Sequence, residues 1–188
     1  MALVAAVVCA ARLEAGGDRV LRAEMELPAP IEQVWAAWAT EEGVKTFFAP
    51  GARVEPRVDG LYEIYFNPAA APGERGAEGM RVLGYEPPRR LAFTWNAPPA
   101  IPAIRGQRTM VVVELEPAGP SRTRLLFTHL GWGRGPDWDR AYAYFDRAWG
   151  GVVLPRLRQR FEKGPIDWAA APPPAASAPS LRTELRPE

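Results

Sequence analysis

Few residues in this chain have the chemistry for catalysis. Its one histidine, His129, lies in T-H-L-G-W-G-R-G-P-D-W-D-R-A-Y-A-Y-F-D-R-A-W-G-G, residues 128–151, among Trp132, Trp138, Tyr142, Tyr144, Phe145 and Trp149. A general base needs a group that orients it and a substrate proton within about 3 Å. No serine or cysteine nucleophile motif stands near His129, and one histidine with one cysteine, Cys9, builds neither a zinc site nor an internal disulfide. The pairs Glu41/Glu42 and Asp137/Asp139 fall where helices are expected to start, so they suit the positive end of a helix dipole better than acid–base work. G-W-G-R-G-P, residues 131–136, matches neither the P-loop nor the dinucleotide fingerprint. No cofactor and no metal are therefore expected. His129 reads first as a hydrogen-bonded interior residue and second as a contact for a ligand's polar end. A catalytic role, with Tyr62 or Tyr142, comes last.

The elements that carry these residues come from a chain of 188 residues, 47% hydrophobic, enough for one domain with a sizeable core. A net charge of +1 leaves no basic field for nucleic acid. Lys45 and Lys163 are the only lysines, so the arginine excess reflects base composition more than a phosphate patch. The run M-A-L-V-A-A-V-V-C-A-A, residues 1–11, is too short to cross a bilayer, which takes about 20 apolar residues. It has the length of a secretory h-region with small residues at Val8-x-Ala10, but no basic residue precedes it. The rival reading is an extension or a misplaced start, so an exported and a cytoplasmic protein both stay open. Residues 1–18 are set apart as an apolar N-terminal segment, 19–165 as the domain, and 166–188 as a disordered Pro/Ala-rich tail.

Val20–Leu27 reads as a strand. Ile31, Val34, Trp35 and Trp38 then share a helical face, and Thr40 caps a second short helix. Short strands follow: Arg53–Arg57, Leu61–Phe66, a segment around Met80, Leu91–Trp95, one with Val111 and Val113 on a face, and one placing Phe127 and His129 on its apolar side. Two Pro/Gly-rich loops, 67–77 and 97–106, interrupt them. Trp138, Tyr142, Phe145, Trp149, Val153, Leu157 and Phe161 mark one stripe of a helix of roughly 25 residues, which Pro155 is expected to bend near Gly151.

Strands joined by short turns are antiparallel, and only the last helix is long enough to cover their apolar face. The fold expected is α+β, a curved antiparallel sheet around a long C-terminal helix. A curved sheet meets a straight cylinder along a line, so a hollow is expected beside it. Its lining would be Phe48, Tyr62, Phe66, Met80, Phe93, Trp95, Val111, Val113, Phe127, His129, Trp132, Tyr142, Phe145 and Trp149, the apolar setting of a small-molecule site.

P-A-P-I-E-Q-V-W-A-A-W, then T-E-E-G, D-G-L-Y-E-I, E-P-P-R-R-L-A-F-T-W, T-R-L-L-F-T-H and F-D-R-A-W-G-G-V-V-L-P-R-L, in this order, resemble the START/Bet v 1-like (SRPBCC) superfamily. Within it they are most similar to the branch named after the activator of heat-shock-protein-90 ATPase, over about residues 20–164. The resemblance implies a helix-grip fold whose cavity takes an apolar or amphipathic molecule. It also suggests two alternatives: a co-chaperone-like module with a protein partner, or a cyclase- or hydrolase-like enzyme using His129. D-G at 59–60, where many relatives have G-G, and the two Pro/Gly loops depart from the pattern around the expected mouth.

Overall fold

The computed structural model describes residues 19–170 and 182–185. The apolar run 1–11 and positions 171–181 and 186–188 of the expected tail lie outside the described residues. In chain order the elements are β1 (Arg19–Leu27), α1 (Ile31–Ala39), α2 (Glu41–Lys45), β2 (Gly51–Val54), β3 (Tyr62–Tyr65), β4 (Gly76–Ala77), β5 (Val82–Glu86) and β6 (Arg90–Trp95). There follow α3 (Pro102–Arg105), β7 (Thr109–Pro117), β8 (Thr123–Leu130), α4 (Pro136–Ala148), a π-helical turn (Trp149–Val153), α5 (Leu154–Lys163) and β9 (Arg182–Leu185). Six strands form an antiparallel sheet in the order β5-β6-β7-β8-β1-β9, and β2-β3-β4 form a second sheet. Backbone bonds between Val82 and both Asp59 and Gly60, and from Tyr62 to Met80, stitch the two together. The chain is therefore α+β with a helix-grip arrangement.

Local chemistry accounts for the elements. β8 alternates buried Thr123, Leu125, Phe127 and His129 with half-buried neighbours, as a strand with one face on a core must. The Thr40 hydroxyl accepts the Gly43 N–H at 3.0 Å, so it caps α2 as its type predicts. The expected bend of the last helix takes the form of the π-helical turn. Pro155 has no N–H, and its ring would strike the carbonyl of Gly151 in a regular helix. The backbone widens instead, and the Leu154 N–H donates to the Trp149 carbonyl five residues back.

Three expectations need correcting. Phe66 lies past the end of β3 and is 48% exposed, so alternation does not carry it inward. The 97–106 loop contains α3, whose Ile104 packs with Ala97, Ile101, Trp138 and Ala141 in a small second core. The tail expected to be disordered from residue 166 begins docked. Ile166 is buried and its N–H donates to the Thr46 carbonyl, while the Trp168 indole donates to the Lys45 carbonyl at 2.6 Å. Arg182–Leu185 then pair with Arg19–Arg22 of β1. A short strand needs only an unpaired edge to join, a signal that composition does not carry.

Candidate functional site

The expected hollow is occupied by its own lining. Phe48 stacks on Trp95 with ring centroids 5.7 Å apart, and both meet Trp149 at 5.4 Å. Phe127 lies 4.6 Å from Trp149, Tyr62 stacks on Phe93 at 4.1 Å, and Phe93 meets Trp95 edge-on at 5.8 Å. Met80, Val111 and Val113 fill the remaining positions and are buried. Offset and tilted rings at these separations are core packing. Of the fourteen candidates, Phe66 is partly outside, Trp132 and Tyr142 are half-buried at the rim, and the rest are buried.

His129 sits within this packing, fully buried between Trp132, Phe145 and Trp149. The Trp149 indole N–H donates to Nδ1 at 3.0 Å. The proton therefore resides on Nε2, which lies 2.7 Å from the Thr109 hydroxyl, and that hydroxyl donates in turn to the Trp95 carbonyl at 3.4 Å. Burial lowers the imidazole pKa to about 3, so the ring is neutral at physiological pH. The relay is closed at both ends, and neither ring nitrogen is free for a substrate. Tyr62 is equally committed, its hydroxyl donating to the Trp38 carbonyl at 2.9 Å, and the Tyr142 hydroxyl lies 3.3 Å from the Val20 carbonyl. Among the described residues no group of three His, Cys, Asp or Glu side chains could hold a metal ion.

Open space lies one helical step further on. A cleft of about 1140 Å³ runs between α5 and β1. Ala23, Met25 and Phe127 form its sheet wall, Gly150, Leu154 and Pro155 its helix wall, and Arg158, Gln159, Glu162 and Lys163 its rim. It curves around the edge of β1 to reach Arg22, Glu24, Glu26, Glu114, Leu126 and Thr128. The pairing of Ala23 with Phe127 and Met25 with Leu125 places a small and a flexible side chain on the core face of β1. Gly150 faces them with no side chain at all, and this shortage of volume opens the cleft. Of the fourteen candidates only Phe127 belongs to it.

Three features escaped the sequence. Thr109 becomes the partner of His129 only through the β7–β8 register, in which Val111 stands opposite His129. The cleft wall was legible in principle in Ala23 and Gly150, small residues where bulk would be expected. Arg105 holds the two Pro/Gly-rich loops together by donating to the carbonyls of Gly73 (2.8 Å), Gly76 (2.7 Å) and Ala97. The loops expected to shape a mouth are thereby pinned to each other.

Sheet, gripped helix and internal space define the class: a helix-grip protein of the SRPBCC type. More narrowly, the chain belongs to the family described as activator of Hsp90 ATPase homolog 1-like protein, whose model matches residues 28–162. Among solved structures it is similar to the protein MLL2253 from Mesorhizobium loti, at 24% identity, covering 78% of this chain and 99% of that one with a TM-score of 0.61. It is also similar to the Aha1 dimer from Colwellia psychrerythraea, at 20% identity, 77% and 97% coverage and a TM-score of 0.57. A third similar structure is PFC0360w, an HSP90 activator from Plasmodium falciparum, at 14% identity, 78% and 97% coverage and a TM-score of 0.57. At these identities the likeness concerns the fold. No curated protein matches the chain. Among the described residues no helix is long and apolar enough to cross a membrane.

Proposed function

We propose that the chain binds a small amphipathic molecule in the cleft between α5 and β1. The supporting observation is the cleft's division into an apolar floor, with Met25, Phe127, Leu154 and Pro155, and a charged rim, with Arg158, Glu162 and Lys163. Such a site takes an apolar body by burial and fixes a polar head by a few charged contacts. The test is calorimetric and thermal-shift titration with fatty acids, sterols and polyketide-like aromatics. Binding of one class that Met25→Trp abolishes supports the reading, and no heat and no shift with any class overturns it.

A second reading, a co-chaperone-like docking module, draws on the family description and on the HSP90 activator among the similar structures. Stimulation of a chaperone ATPase by the purified chain would support it, and an unchanged rate would remove it. Cyclase- or hydrolase-like chemistry at His129 gains no support, because both ring nitrogens are hydrogen-bonded inside the core.

A further inference from the structure

One flank of α5 carries cations that no carboxylate among the described residues neutralises. Arg156, Arg160 and Lys163 follow at i, i+4 and i+7, so they share a face of the helix. The cleft takes Arg158, Gln159 and Glu162 from the other flank and does not include Arg156 or Arg160. Like charges four residues apart repel each other and weaken a helix. The ordinary remedy stands nearby: Arg158 pairs with Glu162 at 3.8 Å on α5, and Lys45 pairs with Glu41 on α2. Arg156 and Arg160 have no such partner among the described residues. The helix dipole accounts for Arg160 and Lys163, which fall in the last turn, but not for Arg156, further from the end.

The surroundings hold both guanidinium groups in place. The chain after α5 folds back on α2, with the Trp168 indole donating to the Lys45 carbonyl and the Ile166 N–H to the Thr46 carbonyl. The Arg156 guanidinium lies 5.1 Å from the Trp168 ring centroid, a contact that uses none of its N–H donors. Arg160 lies 4.6 Å from the Phe161 ring centroid. It spends its Nε on the Thr46 hydroxyl at 3.2 Å, and that hydroxyl spends its own proton on the Gly43 carbonyl at 2.6 Å. Both arginines are half-buried. Burial lowers the Arg156 pKa, the mark of a cation that has given up water without gaining a counter-charge.

Independently of the cleft, we infer that Arg156 and Arg160 form a phosphate site at the corner where α2, α5 and residues 166–168 meet. A planar guanidinium presents parallel N–H donors to two oxygens of one anion, and a tetrahedral phosphate has oxygens enough for two such forks. The rings beneath the guanidinium groups remove side-chain freedom, the loss that makes most surface arginines weak partners. The arginine excess of the chain carries no such meaning by itself. These two differ in being half-buried, ring-supported and without a carboxylate. A free phosphate and a lipid headgroup present the same oxygens, so the test separates the two sources.

The full chain is titrated by calorimetry with inorganic phosphate, replacing chloride at constant ionic strength. It is also sedimented with phosphatidylcholine vesicles, with and without phosphatidic acid. The expected result is saturable binding in one arm, weakened about tenfold or more by Arg156→Gln and by Arg160→Gln. Binding of phosphate in solution assigns a free source, and binding only to vesicles with phosphatidic acid assigns a headgroup. Arg156→Lys keeps the charge and loses the fork, so it should weaken binding too, and it serves if the glutamine variants do not fold. No binding in either arm overturns the proposal, as does affinity unchanged in these variants. Loss confined to Arg158→Gln also overturns it, because the anion would then sit at the cleft rim.

Discussion

Trp149 and Pro155 stand on the same helical arm and face two different interiors. Around Trp149 the sheet presents Phe127, Trp95 and, through the turn after α2, Phe48, and these rings leave no room. Around Pro155 it presents Ala23 and Met25, and a cleft of about 1140 Å³ remains. The π-helical turn divides the two regions, turning the Trp149 indole into the relay with His129 and Gly150 toward the cleft. Aromatic content therefore marks where this fold is filled, and small residues mark where it is open.

The sharpest way to break the comparison is at the filled end. Trp149→Ala removes four ring contacts and strips Nδ1 of His129 of its donor, so it is expected to cost about 4 kcal/mol or more, measured by urea unfolding. The next effect is the pH dependence of the same relay. His129 has a folded-state pKa of about 3 against about 6.5 when unfolded. Below pH 6.5 the unfolded chain binds a proton that the folded chain refuses, so stability falls with pH between 6.5 and 3. From pH 7 to pH 5 the loss from this group is about 2 kcal/mol. His129→Gln should be less stable at pH 7 but show a flatter slope over that window. An unchanged slope would move the acid sensitivity elsewhere.

At the open end the expected costs are small and the binding effects large. Met25→Trp fills existing space, so stability should change by less than about 1 kcal/mol while ligand affinity drops about tenfold or more. A loss of several kcal/mol instead would show that the cleft is packed in solution. Smallest of all, Arg158→Gln at the rim should shift stability by no more than about 0.5 kcal/mol, and should weaken an anionic ligand more than a neutral one.

Much of the fold was legible in the sequence. Alternation placed His129 on the apolar face of β8, the three-and-four spacing marked the last helix, and Thr40 announced its cap. The site was legible only in part. The candidate residues do converge, but sequence reading located them on a wall and could not tell that Phe48, from outside the sheet, fills the space before it. Volume complementarity depends on pairs distant in the chain, such as Ala23 with Phe127, and register is needed to find them. Phe66 obeyed the right pattern, but its strand ends one residue earlier. The pairing of Arg182–Leu185 with β1 depends on which sheet edge is free, and local composition does not record that.

Three of the chain's four methionines sample the regions separately: Met25 lines the cleft, Met80 is buried in the aromatic core, and Met110 lies on the opposite sheet face. Titrating methyl-labelled methionine protein with the molecule that binds tests the central claim most directly. The account predicts that the Met25 methyl resonance moves while that of Met80 stays fixed. Movement of Met80 with Met25 unchanged would put the ligand among the rings and contradict it.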